Sequence, residues 1–279
     1  MAEHKKFENG FEYIEVTNKS ARARIALQGA HLFHYERVGG KPFLWLSETS
    51  FFEEGKAIRG GIPICWPWFG KHATEPGLPQ HGFARIFVWQ LLEVNATDAY
   101  STEVTLQLKT SAESLQLWPY RFELLLHITV SRTLTITLTT KNRDEHPFKI
   151  ISALHSYFAV SGIDNVYVEG LANTPYFDAL TKENRVQQGR VHITEEVDRI
   201  YQNVHYPLIL HDRDRTLQVD GQGSSSAVVW NPWIDKCAGM GDMPDDGYKT
   251  MLCIETANAL QDAQMPAPGE EHTLTAVIS

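Results

Sequence analysis

Apolar and polar positions alternate with a period of two along most of the chain. At 104–109 (VTLQLK), Val104, Leu106 and Leu108 alternate with polar residues, and at 134–139 (LTITLT), Leu134, Ile136 and Leu138 alternate with threonines. Such alternation marks strands with one buried face. Similar runs occur at 21–27, 122–130, 165–168, 216–219, 226–230 and 273–278, separated by clusters of Gly, Pro, Asn and Asp. The pattern predicts an all-β protein, a large antiparallel β-sandwich or barrel. Helix is expected only at 47–56 (SETSFFEEGK) and 111–118 (SAESLQLW), each fit for one short helix behind a serine cap. The Gly-rich stretches 221–226 (GQGSSS) and 239–247 (GMGDMPDDG) lack the third glycine of a dinucleotide fingerprint and the Gly-Lys-Ser/Thr ending of a phosphate loop, so they read as loops. No linker or repeat divides the 279 residues. One domain over 1–279 is expected, with 1–20 open to being a peripheral N-terminal segment.

Charge narrows the function classes. The chain has 34 acidic and 25 basic residues, a net charge of −9. A broad nucleic-acid surface is therefore not expected, because displacing counterions from phosphates needs clustered positive charge. A local anion site is still compatible with that balance. Cys65, Cys237 and Cys253 form no CxxC pair, which indicates neither a disulfide framework nor a zinc ribbon. The opening MAEHKKFENGFEYIEV meets charge and glycine before an apolar run develops, and no later run approaches the roughly 18 apolar residues of a membrane span. A cytoplasmic protein with no membrane partner is expected, by default a monomer.

Two strand-like segments carry candidate chemistry. In 251–258 (MLCIETAN), Met251, Cys253 and Glu255 share one face while Leu252 and Ile254 take the other. Glu255 is then either a strand-end residue turned to solvent or a partly desolvated carboxylate suited to proton abstraction. In 150–160 (IISALHSYFAV), Ile151, Ala153, His155, Tyr157 and Ala159 are in phase, giving His155 apolar and aromatic neighbours. With 12 histidines in the chain, His155 is either a hydrogen-bonded structural residue, the commoner case, or half of a pair in which histidine and glutamate divide acid and base duties near neutral pH.

Arg59 in RGGIPICWPWFG and Arg85 in LPQHGFAR stand beside glycines and aromatics. They read either as surface residues at structural turns or as a forked cradle for phosphate or carboxylate, with Trp66, Trp68 and Phe83 as flat walls for a sugar ring. His31 and His34, three apart in a strand, point to opposite faces, so a shared metal is not expected. Asp198 and Lys236 read most simply as surface charges.

These segments, in this order, resemble the hexose-6-phosphate mutarotase (glucose-6-phosphate 1-epimerase) family of the galactose-mutarotase-like superfamily. The carrying motifs are RGGIPICWPWFG (59–70), LPQHGFAR (78–85), ALHSYF (153–158), EVDRIY (196–201), VVWNPW (228–233) and CIETAN (253–258). The likeness runs from about Ala21 to the end. It implies a β-supersandwich with an open, cofactor-free and metal-free sugar site and a small sugar phosphate as partner. In that setting His155 is the general acid and Glu255 the general base. By the same carry-over Arg59 and Arg85 bind phosphate, while His81 and Asp198 contact the sugar hydroxyls or ring region. Whether Lys236, Gln80 or Trp230 touches ligand stays open.

The implied activity is interconversion of the α and β anomers of hexose 6-phosphates, chiefly glucose 6-phosphate. Two readings compete with it. An aldose 1-epimerase for unphosphorylated sugars would share His155 and Glu255, and the arginine pair argues against it, since two guanidinium groups in a cleft are costly without an anion. A non-catalytic carbohydrate-binding protein would keep the cleft and lose turnover. A hydrolase would need a second acid beside Glu255, and none stands in comparable context.

Overall fold

The computed structural model describes residues 1–213 and 215–279. Two large antiparallel sheets face each other. The first has nine strands and runs from Val191–His192 through Tyr167–Glu169, Leu208–Asp212, Arg215–Gln222, Glu271–Ile278, Leu134–Asn142, Phe122–Val130 and Thr102–Lys109 to Gln90–Ala96. The second has eight strands, with Met251–Asn258 at its centre between Ser226–Asn231 and the two short strands Ser152–Leu154 and Tyr157–Ala159. A four-stranded sheet, Ala2–Lys6, Glu12–Thr17, Ala21–Ala26 and His31–Arg37, packs alongside. Ile14 and Val16 of its second strand enter the main core, whereas Ala2–Lys6 is almost wholly exposed. The architecture is the large β-sandwich that the period-two pattern predicts.

The alternation in the sequence becomes a division of labour between two faces. In Phe122–Val130 and Leu134–Asn142 buried and half-buried residues alternate without a break. Their buried members Leu124, Leu126, Ile136 and Leu138 meet Leu252, Ile254, Leu154 and Phe158 from the opposite sheet in one core. Met251, Cys253, Ala153 and Tyr157, from the same strands but out of phase, join a smaller cluster with Trp45, Trp230 and Met243 on the outer face. Side chains of successive strand residues point to opposite sides, so this central strand serves core and outer face with alternate residues.

Helix is scarce, as expected, though its placement differs in part. Ala112–Leu117 is helical behind Ser111, whose hydroxyl accepts from the Ser114 amide at 3.1 Å while the Ser114 hydroxyl accepts from the Ser111 amide at 2.9 Å. Segment 47–56 is turns and bends instead. Its polar groups are spent on distant partners: Ser47 donates to the Asp242 carbonyl, and the Gly55 amide and Lys56 carbonyl both bond the Gln28 side chain. The second short helix is Trp233–Ala238, which begins where the Trp233 amide donates to the Asn231 side chain.

Ile254→Ala should cost about 2–5 kcal/mol, because it opens a cavity between two sheets. Val88→Ala, at a residue 59% exposed, should stay within about 0.5 kcal/mol of the parent. Urea unfolding of both variants checks the pair.

Candidate active site

The six sequence motifs become neighbours across the eight-stranded sheet. Val197–Gln202 pairs with Ser226–Asn231, which pairs with Met251–Asn258, which in turn pairs with Ser152–Leu154 and Tyr157–Ala159. Ile64–Cys65 adds beside Ser152–Leu154, and Gly82 bridges to Trp66 beyond it. Residues scattered over two hundred positions thus reach one surface.

Register brings the candidate acid and base together. Leu154 lies opposite Thr256 and Tyr157 opposite Cys253, which leaves His155 opposite Glu255. Directly opposed residues of antiparallel strands hold their Cβ atoms about 4.5–5.5 Å apart. Here His155 Nε2 lies 3.3 Å from Glu255 Oε1. His155 and Glu255 are 6% and 1% exposed, so both are cut off from bulk water. Among the described residues His155 Nδ1 and both Glu255 carboxyl oxygens lack a hydrogen-bond partner.

Burial decides the charge of this pair. It pushes the Glu255 carboxyl well above the usual range, and the nearby Asp198 carboxylate pushes the same way. Burial also pushes the His155 imidazole well below its usual value, reinforced by the Arg85 and Arg59 charges. The 3.3 Å separation falls within ion-pair range, but the atoms lack hydrogen-bond alignment. Both shifts favour the neutral acid beside the neutral imidazole, one proton transfer from carboxylate and imidazolium.

Aromatic rings fix His155. The Tyr157 ring stacks on it at 4.8 Å and 11°, Trp230 meets it edge-on at 6.0 Å, and His81 does so at 5.7 Å. Phe69 closes the arrangement, 6.4 Å from His155 and 4.8 Å from His81. Trp66, Trp68 and Phe83, expected as walls of a sugar site, are instead buried in the main core, where Trp66 packs on Trp118 and Phe122. The aromatic surface near His155 comes from Phe69, Tyr157 and Trp230.

The two arginines are not equivalent. Arg59 is carried in by the 59–65 segment, in which Gly61, at φ +63°, packs so close to the Leu32 carbonyl that a Cβ would come within 2.4 Å of it. The Arg59 guanidinium is well occupied: Nε and Nη2 lie 3.1 and 3.0 Å from Asp242 Oδ2, and Nη1 donates to the Tyr157 hydroxyl at 2.9 Å. Burial acts to lower its pKa, but Tyr157 and Asp242 outweigh that, so it is firmly charged. Arg85 donates from Nη2 to the Gln80 carbonyl at 2.7 Å, and its buried Nε has no partner among the described residues. Burial lowers its pKa from a value so high that the charge persists.

His81 sits on the loop that leads to Arg85. Its backbone is left-handed at φ +64°, uncommon for a residue with a side chain and typical of constrained functional loops. Gly82 follows, and a Cβ there would lie 1.9 Å from the Trp66 carbonyl. The His81 Nδ1 accepts from the Gly70 amide at 3.2 Å, which assigns the ring proton to Nε2. Burial holds this imidazole neutral as well. Asp198 is opposite Trp230 in register, two strands from Glu255, and burial raises its carboxyl pKa. Lys236 pairs instead with Glu196 at 2.8 Å, its ammonium 5.9 Å from the Trp230 ring.

Sequence reasoning missed Asp242 and Tyr157 as partners of Arg59. Asp242 is 183 residues from Arg59 in a loop with no periodicity, so nothing local marks it. The NPW and TAN motifs point indirectly to that architecture. Asn231 donates to the Tyr248 and Met251 carbonyls, and Asn258 donates to the Gly223 carbonyl, tying loops to the sheet. A surface hollow of about 450 Å³ near Asn9, Gln28, Phe52 and Val88 contains none of these residues.

A sandwich that sets a buried imidazole against a buried carboxyl on one face of a sheet, with two guanidinium groups beside them, has the makings of an acid–base enzyme. The chain belongs to the aldose 1-epimerase family, whose profile matches residues 12–279, and its activity is anomer interconversion. It is 39% identical over 265 residues to an Escherichia coli (strain K12) protein named "Putative glucose-6-phosphate 1-epimerase", covering 94% of this chain and 88% of that one. A Cenchrus ciliaris protein of the same name is 38% identical, with coverage of 97% and 85%. Among solved structures, a mutarotase-named protein from Salmonella typhimurium superposes with a TM-score of 0.93 at 37% identity, covering 99% of this chain and 92% of that one.

The charge state of the pair predicts opposite pH responses in two variants. Glu255 has a raised folded pKa, so its contribution favours the fold below the unfolded carboxyl value and is lost as pH rises toward the folded one. His155 has a depressed folded pKa, so its contribution favours the fold above the unfolded imidazole value and is lost as pH falls. The melting temperature of Glu255→Gln relative to the parent should therefore climb from pH 5 to pH 8. That of His155→Asn should climb from pH 7 to pH 5. Thermal unfolding across this range reads both slopes.

Proposed function

We propose that the chain interconverts the α and β anomers of hexose 6-phosphates, chiefly glucose 6-phosphate, by opening and reclosing the sugar ring. Glu255 is the general base and His155 the general acid. Arg59 and Arg85 seat the phosphate, and His81 and Asp198 contact the sugar. The observation that carries this reading is the buried His155–Glu255 contact beside two guanidinium groups, one of which has a buried Nε with no partner among the described residues.

The chemistry follows from a cyclic hemiacetal. Its O1 hydroxyl and ring oxygen O5 are both attached to C1, so an acid and a base that serve them must themselves be close. The 3.3 Å contact between His155 and Glu255 meets that requirement. Glu255, ionised, takes the O1 proton while His155, protonated, gives one to O5. The C1–O5 bond breaks and C1 becomes a free aldehyde. Rotation about C1–C2 presents the other carbonyl face, and reclosure with both transfers reversed gives the opposite anomer and regenerates both residues.

Preference for a phosphorylated sugar rests on the cations. Arg59 and Arg85 repel each other, and among the described residues Asp242 is the one carboxylate paired with Arg59. A buried guanidinium is costly unless an anion pairs with it, and phosphate matches the guanidinium fork.

Glu255→Gln and His155→Asn should each lower kcat by about 10²- to 10⁴-fold, the usual contribution of a positioned acid or base. Anomer exchange of glucose 6-phosphate, corrected for spontaneous mutarotation, measures this. Near-normal turnover in either variant would move that role elsewhere. Arg85→Ala should reduce kcat/KM for glucose 6-phosphate by about ten- to a hundredfold more than it changes that for free glucose, since charge-assisted contacts contribute about 1.5–3 kcal/mol. Equal losses on both sugars would make the arginine structural and favour an epimerase of unphosphorylated sugars.

A further inference from the structure

Catalysis as described needs Glu255 ionised and His155 protonated, whereas burial pushes each toward its neutral form. The proton count is already right. What is required is one transfer, from a Glu255 carboxyl oxygen to His155 Nε2, across 3.3 Å.

The arginines oppose that transfer, and they act on one partner more than the other. Arg59 binds the hydroxyl of Tyr157, whose ring lies flat on the His155 imidazole. Arg85 follows the loop that places His81 against the same ring, and the Arg85 charge bears on His155. The charge that bears on Glu255 is instead that of Asp198, two strands away on Val197–Gln202. An imidazolium formed at His155 would thus meet two like charges, one of them, Arg59, already partly offset by Asp242. Among the described residues, the other titratable groups around the ring bring no compensating charge. His81 and His31 are held neutral, the latter pushed down to about 3 by burial. Burial likewise keeps the Tyr157 hydroxyl and the Cys65 and Cys253 thiols protonated.

The geometry points to a second role for the phosphate: seated on Arg59 and Arg85, it cancels the positive field at His155 and so draws the proton from Glu255 to His155, arming acid and base together. No proton enters or leaves the pair. The phosphate then raises turnover as well as affinity, and without it the pair rests in an inactive protonation state. This rests on the reading of Arg59 and Arg85 as the phosphate seat, and the sugar and the anion need not be covalently joined for it to operate.

Inorganic phosphate is therefore the probe. With the full chain, it should inhibit glucose 6-phosphate exchange competitively yet accelerate exchange of free glucose by about tenfold, the effect of one pKa unit on a group ordinarily deprotonated, after subtraction of the buffer-catalysed rate. In parallel, ¹⁵N spectra of histidine-labelled protein, with His155 assigned by its loss in His155→Asn, should show imidazole turning to imidazolium on addition of phosphate. The acceleration should vanish in Arg85→Ala. Inhibition without acceleration, and with an unchanged His155 signal, would overturn the inference and leave the phosphate seat standing. No inhibition at all would overturn the seat and the inference with it. The spectrum alone decides the matter if free glucose turns over too slowly to follow.

Discussion

The site depends on the antiparallel register between the central strand Met251–Asn258 and the broken strand over 152–159. That pairing sets His155 against Glu255 and, on the same face, Tyr157 against Cys253. Side chains from opposed positions meet without any loop having to aim them. The backbone ladder is shared with the core, because the intervening residues Leu252, Ile254, Leu154 and Phe158 are packed against the other sheet. The free energy that holds the sandwich together therefore also positions the acid and the base, and a buried polar pair that would loosen an ordinary core is held in place by the burial of its apolar neighbours.

Much of this was legible in the chain. The strands with one solvent-facing side, such as Phe122–Val130 and Leu134–Asn142, write their alternation directly into sequence, and the phase of Glu255 with Met251 and Cys253 follows from the same rule. Strands exposed along their length, such as Glu183–Val186, carry no alternation to read. The fates of Trp66 and Phe83 were illegible for a different reason. An aromatic residue beside a glycine turn has the same local pattern whether it lines a surface or fills a core, and only the docking of Gly82 against the Trp66 carbonyl decides between them. Asp242 was equally silent, since its meaning arises from a contact with Arg59 across most of the chain.

Charge is distributed unevenly around the site. The cations lie toward Tyr157 and the 78–85 loop, and the carboxyls of Glu255 and Asp198 lie toward the centre of the sheet. A sugar phosphate read as substrate would span this gradient, with its anion at one end and its hemiacetal at the other. Orientation would follow from electrostatics before any specific hydroxyl was recognised, even in a protein of net charge −9.

The division of the Met251–Asn258 strand between two faces has a consequence for how this protein can change over generations. Substitutions in the surrounding loops alter what borders the pair without touching the sandwich. A single-residue deletion within 252–254 is another matter: it would rotate the remainder of the strand by half a turn, sending Glu255 into the oily interior and exposing its apolar neighbours. Reading frame in the genetic sense would be kept by such an in-frame loss, yet the spatial frame would not. Single-residue insertions and deletions at the centre of this sheet thus invert its two faces, whereas the loops at its rim can change length without doing so.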